Sequence, residues 1–242
     1  MNDTPDFSNL SALFLNCSIK YDKTKSHTAR LINRAAGVMR TEGVDVEIAY
    51  MLDHEIAVGM EEDLSHTGRT DDWPTLQAKI EAADILVLGT PLWLGVKSST
   101  CTLAVERMYA SSGRRNDKGQ FLYYGKAGGC LITGNEDGAK SAAMEILYAL
   151  SHIGFTVPPA ADAAWLGEAG PGPSYGAMVE GMDVPAGYDN DFTNRNSTFM
   201  AWNLMHTAKL LKEAGGIPAI GNTPEGWREV TNAADQDPEF GL

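Results

Sequence analysis

Cysteine and positive charge are both scarce in this chain, and each shortage excludes something. The three cysteines, Cys17, Cys101 and Cys130, are odd in number and far apart, with no C-x-x-C pair. That excludes a zinc ribbon and an iron–sulfur spacing, and it points to free thiols in a reducing cytoplasm. Lysine and arginine total 19 against 32 aspartates and glutamates, a formal charge of −13. Such a balance argues against nonspecific nucleic-acid binding and suits an anionic membrane surface poorly. Uninterrupted apolar runs long enough to span a bilayer are missing too. The opening stretch MNDTPDFSNL is polar and acidic, unlike a secretory leader. The expectation is a cytoplasmic protein with no nucleic-acid or membrane partner.

Several catalytic signatures are also missing. His54, His66, His152 and His206 do not pair at metal-ligand spacing, and His54-Glu55 does not continue to H-E-x-x-H. No metal is expected. There is no G-x-x-x-x-G-K-[ST] loop, and the glycines of the dinucleotide fingerprint are absent. Neither Cys17 nor Cys101 has a histidine partner in a nucleophile motif.

What is there is organised around LFLNCSIKYDKTKSHTAR, Leu13 to Arg30. An apolar run suits a buried strand. A loop rich in hydroxyls and lysines follows, with Ser18, Lys20, Lys23, Thr24, Lys25, Ser26 and Thr28. An amphipathic helix then begins near Thr28. Between Ser18 and Arg30 stand four basic residues and one acid, Asp22, in a chain that is otherwise strongly acidic. Backbone N–H groups at a helix start, hydroxyls and cations together are what a phosphate needs. The plain alternative is a solvated loop capped by Ser26.

Strand and helix then alternate along the chain. The pattern predicts strands at Ala12–Cys17, Val44–Met51, Asp84–Thr90, Lys126–Thr133 and Phe155–Val157 resuming at Ala163–Leu166. Helices are predicted after the first loop, after Asp72, at Ser98–Ala110, after Gly138 and at about Asn194–Glu213. This is an α/β three-layer sandwich: a five-stranded parallel sheet in the order 2-1-3-4-5 with helices on both faces. Residues 1–242 read as one domain. Residues 52–72 read as a surface excursion near the ligand mouth. Residues 168–196 form a loop too long to be idle, a functional segment or subunit contact, and 215–242 an extended tail.

In such a sheet the ligand sits at the carboxyl ends of the strands. Three loops leave those ends. The first is the Ser18–Ser26 phosphate loop. The second, Pro91-Leu92-Trp93-Leu94-Gly95, offers an aromatic wall. The third, Gly134-Asn135-Glu136-Asp137-Gly138, is short and polar, suited to aiming N–H groups at a ring edge. A phosphate at one end and a flat wall at the other fit FMN.

The segments NCSIKYDKTKSHTARL, ADILVLGTPLWLG and TGNEDGA resemble the NADPH-dependent FMN reductase family of the flavodoxin-like superfamily, over roughly residues 11–166. The resemblance implies phosphate contacts from Ser18, Ser26, His27 and Thr28, with Lys20, Lys23 or Lys25 in the lysine role. It implies ring and ribityl contacts from Thr90, Pro91, Leu92, Trp93, Leu94 and Gly95. Thr133, Gly134, Asn135, Glu136, Asp137 and Gly138 would meet the ring edge. It leaves two roles open for Trp165 and Tyr175: closing the pocket, or serving only in the core or an interface. FMN would be the cofactor and NAD(P)H the electron donor. A flavin, quinone, nitro or azo compound would be the small-molecule acceptor. A homodimer or homotetramer is implied. The chemistry is borne by the flavin, so no catalytic side chain is assigned. Two other classes stay open: a flavodoxin-type electron carrier without NAD(P)H activity, and a binding protein that has lost the flavin.

Overall fold

The computed structural model describes residues 5–135, 137–167 and 172–227. Five parallel strands, β1 (Ser11–Asn16), β2 (Asp45–Tyr50), β3 (Ile85–Trp93), β5 (Ala127–Gly134) and β6 (Asp162–Leu166), form the sheet in the order β2-β1-β3-β5-β6. That is the expected order of the parallel strands. A two-residue strand, β4 (Val96–Lys97), is added as an antiparallel partner of the end of β3.

The strands are continuous apolar runs because helices cover both faces. Leu13 and Leu15 of β1 join Leu86 and Leu88 of β3 in one core layer, under α2 (Trp73–Ala82), α3 (Ser99–Ala110) and α4 (Ala139–Ile153). Ala12 and Phe14 point the other way with Ile85 and Val87. They meet α1 (His27–Thr41) and α5 (Asp191–Glu213). Leu31, Ile32, Ala35, Ala36 and Met39 make the buried stripe of α1. Burying a side chain such as Leu31 contributes about 1.5–3 kcal/mol, set against the entropy of ordering it. Gly89 lets α1 come close: a Cβ there would lie 2.4 Å from Ile32 Cδ1.

Three elements differ from the sequence reading by more than one residue. β3 runs on to Trp93 because the chain folds back there. Leu94 (φ +52) and Gly95 (φ +78) form the two-residue tip of a hairpin, and Trp93 pairs with Val96. Phe155–Val157 supplies only a bridge between Thr156 and Ala127. The Pro158-Pro159 pair cannot donate to a ladder, and the strand starts afresh at Asp162. α5 starts at Asp191, capped by the Asn190 side chain, which accepts from Thr193 N at 2.8 Å. Residues 52–72 meet the first loop through Asp53, 2.5 Å from Lys23 Nζ. At their far end Asp71 is pinned to α3 by Arg107. The tail is described to residue 227, where Gln120 Nε2 donates to the carbonyls of Ile217 and Pro218. The rest of the predicted tail, and residues 168–171 of the long loop, lie outside the described residues.

Candidate functional site

The chain crosses from β2 on one side of β1 to β3 on the other. Ligands collect at that reversal, at the carboxyl ends of the strands. There a cleft of about 320 Å³ opens between the loop after β1, the end of β3 and the end of β5.

One end of the cleft is polar. Asn16 Oδ1 accepts from Ser18 N at 2.9 Å and turns the chain off β1. Ser18 Oγ accepts from Lys20 N at 3.3 Å. Lys20 lines the cleft, and its Nζ donates to the Lys25 carbonyl at 2.9 Å. Burial, with Arg30 and Lys25 nearby, holds the Lys20 amine below its usual range. Positive charge is crowded here without enough counter-charge, the condition under which an anion is welcome.

The structure separates the three lysines. Lys23 pairs with Asp53 and Lys25 with Asp22, at 3.1 Å in the latter case. Lys20 is the one that lines the cleft. Ser26 is wholly buried, and its Oγ accepts from Ala29 N at 3.1 Å as the N-cap of α1. Its hydroxyl therefore orients the helix from outside the cleft lining. His27 and Thr28, the first two helical residues, do line it. Thr28 Oγ1 lies 2.8 Å from Thr133 Oγ1, which ties α1 to β5 across the cleft floor.

The other end is apolar, walled by Pro91, Leu92 and Trp93, the last 44% exposed. Thr133, Gly134 and Asn135 close the side. Thr90 does not reach the cleft. It is buried beneath the hairpin, where its Oγ1 accepts from Ser98 N at 3.0 Å. Leu94 and Gly95 form the hairpin tip and do not line the cleft. Gly138 sits behind that tip at φ +109, and a Cβ on it would stand 2.5 Å from Gly95 Cα. It shapes the hairpin's seat. Asp137 is exposed and away from the lining, and Glu136 lies outside the described residues.

Ser174 and Tyr175 supply a wall that the sequence reading did not place in the site, although Tyr175 was weighed as a closing residue. They belong to a strap, Gly172–Gly176, tied down at four points. Asn135 Nδ2 donates to Gly172 O at 2.5 Å, and Trp165 Nε1 to Pro173 O at 3.2 Å. His27 Nδ1 meets Tyr175 O at 2.8 Å, and Arg30 donates to Gly176 O. The Tyr175 ring packs between Trp165 and Tyr188 at centroid distances of 6.0 and 5.3 Å. Trp165 is thus an anchor for the strap. The only sequence signal was the Gly- and Pro-rich composition of a long loop.

A model of the NADPH-dependent FMN reductase family matches residues 11–168, which hold the sheet and three sides of this cleft. The chain belongs to that family. This family member is 36% identical over 211 residues to the 8-demethyl-8-aminoriboflavin-5′-phosphate synthase of Streptomyces davaonensis (84% of this chain, 79% of that protein). It is 34% identical to RosB in a crystal structure with bound 8-demethyl-8-formylriboflavin-5′-phosphate. The TM-score there is 0.78, covering 96% of this chain and 90% of that one. It is also 50% identical over 224 residues to a Mycobacterium bovis protein named divalent metal cation transporter MntH. That match covers 92% of this chain but only 32% of that longer protein. Likeness to a flavone reductase, at 13% identity and TM-score 0.59, concerns the fold alone. Among the described residues no helix is long and apolar enough to cross a membrane.

Proposed function

We propose that this FMN reductase family member holds FMN in the cleft and passes reducing equivalents from NAD(P)H to a small acceptor, a flavin, a quinone, or a nitro or azo compound. The observation that carries the reading is one cleft with Lys20, His27 and the start of α1 at one end and the half-exposed Trp93 at the other. The donor set fits a flavin 5′-phosphate: a cation, a hydroxyl and a capped helix start for the dianion, an indole and Pro91-Leu92 for the ring. Ser18, Lys20, His27 and Thr28 hold the phosphate. Pro91, Leu92 and Trp93 seat the ring, and Thr133, Gly134 and Asn135 face its edge. Ser26, Thr90, Leu94, Gly95 and Gly138 shape these walls.

When bound, the isoalloxazine supplies the electron and hydride transfer, and the protein supplies binding and orientation. This reading needs no side-chain acid or base. The chain is one domain in this reading, with its 168–196 loop part of the site and its tail an addition. Its free, buried thiols suit a reducing cytoplasm. A homodimer or homotetramer is the proposed assembly.

A second reading draws on the synthase relative and on RosB, whose bound molecule is itself a modified riboflavin 5′-phosphate. In that reading the flavin is the substrate that leaves altered. One experiment separates the readings. Purified protein is titrated with FMN and riboflavin, given NADPH or NADH with a quinone, and the flavin is then released and weighed by mass spectrometry. Steady nicotinamide oxidation with FMN recovered unchanged supports the reductase. An altered flavin mass supports the second reading. FMN binding without nicotinamide oxidation supports an electron carrier.

A further inference from the structure

His27 does two things at once. Its Nδ1 lies 2.8 Å from the carbonyl oxygen of Tyr175, and its ring lines the cleft beside Ser18 and Lys20. A carbonyl can only accept, so Nδ1 carries the proton. Nε2 is left as a bare nitrogen with no hydrogen-bond partner among the described residues.

We propose that His27 is a proton-linked ligand for the phosphate of the bound flavin, held in the required tautomer by the strap carbonyl of Tyr175. This rests on the FMN reading above. Tyr175 is a positioning residue, acting through its backbone. On binding, Nε2 takes a proton from solvent, and the resulting N–H donates a hydrogen bond to a phosphate oxygen. No covalent bond forms or breaks.

The charged groups facing His27 are Lys20 from the loop and Arg30 from α1. Lys25 stands behind Lys20 and is paired with Asp22. The strap contributes Ser174 and Tyr175, and the end of β5 contributes Thr133 and Asn135, all uncharged at neutral pH. Burial, then the Lys20 and Arg30 charges, hold the imidazole below its ordinary value, against the Tyr175 hydrogen bond, which raises it. The free protein therefore carries a neutral His27 at pH 7. A phosphate dianion reverses the sign of the local field and lifts the group. Affinity for the phosphate then falls as pH rises through the value in the complex. Each unit of lift corresponds to about a tenfold change in Kd.

The test is calorimetric titration of the full-length protein with FMN and with riboflavin from pH 6.5 to 8.5, in buffers of different ionisation enthalpy. The FMN phosphate has a second pKa near 6, and cations around it can only make it release protons, so net uptake in this range belongs to the protein. The expected result is proton uptake near pH 7 with FMN and none with riboflavin. The FMN Kd weakens about tenfold across the range. In His27→Gln the FMN profile flattens and uptake near pH 7 disappears. Tight FMN binding without uptake overturns the role of His27 and leaves the FMN reading standing. Uptake that is absent near pH 7 and climbs towards pH 8.5 overturns it as well and moves the effect to Lys20. Failure of wild-type protein to bind FMN at all removes the FMN reading, and this inference with it. The wild-type uptake decides the matter even where His27→Gln does not fold.

Discussion

The guanidinium of Arg107 on α3 meets the carboxylate of Asp71 at two points, 3.0 Å to Oδ1 and 2.7 Å to Oδ2, with both side chains out of solvent. Asp71 also accepts from Ala57 N at 3.2 Å and Leu64 N at 2.9 Å. Arg107 donates to the carbonyls of Ala57 and Glu62. One ion pair therefore fastens residues 57–71, which have little regular structure, to the sheet's helical layer. Burial works to raise the Asp71 carboxyl, but the guanidinium and the two N–H groups outweigh it and hold it below the usual carboxylate range.

Breaking that pair leaves a buried charge without its partner. Arg107→Met should lower stability by about 3–5 kcal/mol, read from urea unfolding midpoints. The depressed Asp71 carboxyl contributes stability that is present above its unfolded value, near pH 4, and lost as pH falls through the folded value. Asp71→Asn should be less stable at pH 7 and show a shallower loss between pH 5 and pH 3 in a stability series.

Lys20→Ala should weaken FMN by about 1.5–3 kcal/mol, tenfold or more, and leave riboflavin unchanged, because in the proposed reading only the phosphate uses the amine. Lys25→Ala should change either ligand little: its ammonium is exposed and paired with Asp22. Equal losses for FMN and riboflavin in Lys20→Ala would place the phosphate elsewhere.

Trp93→Ala should weaken FMN and riboflavin alike, by about 0.5–1.5 kcal/mol beyond the lost contact area, since both carry the ring. Trp93→Phe should recover most of that. Fluorescence titration reports both. A loss confined to FMN would contradict the ring assignment.

Gly138→Ala should lower both stability and flavin affinity. The new Cβ meets Gly95 Cα at 2.5 Å, and φ of +109 strains any side chain. A cost of at least about 1 kcal/mol is expected, read from thermal unfolding. An unchanged melting temperature would mean that the hairpin seat is not rigid.

Much of the fold was legible in local pattern. The apolar run Ala12–Cys17, the stripe Leu31-Ile32-Ala35-Ala36-Met39 and the cap Ser26 are short-range signals, and each mapped onto β1 or α1 nearly residue for residue. The convergence of the first, second and third loops followed from topology, since parallel strands place their exits on one edge. Which members of those loops enter the cleft was not legible. Thr90 and Trp93 are three residues apart, yet one is sealed under the hairpin and the other lines the wall. A fold-back at Leu94-Gly95 decided that, and the apolar wording of the segment does not encode it.

The order of residues alone determined the layered α/β architecture, the Ser26 cap of α1 and one cationic loop in an acidic chain, because each depends on neighbours within a turn or a strand. Only the tertiary structure decided that Lys20, among three lysines, lines the cleft, and that the strap walls it. The bond from His27 to Tyr175 spans 148 positions, and the one from Arg107 to Asp71 spans 36. Contacts at such separations leave no periodic trace in the chain, since they arise when elements already folded are packed together.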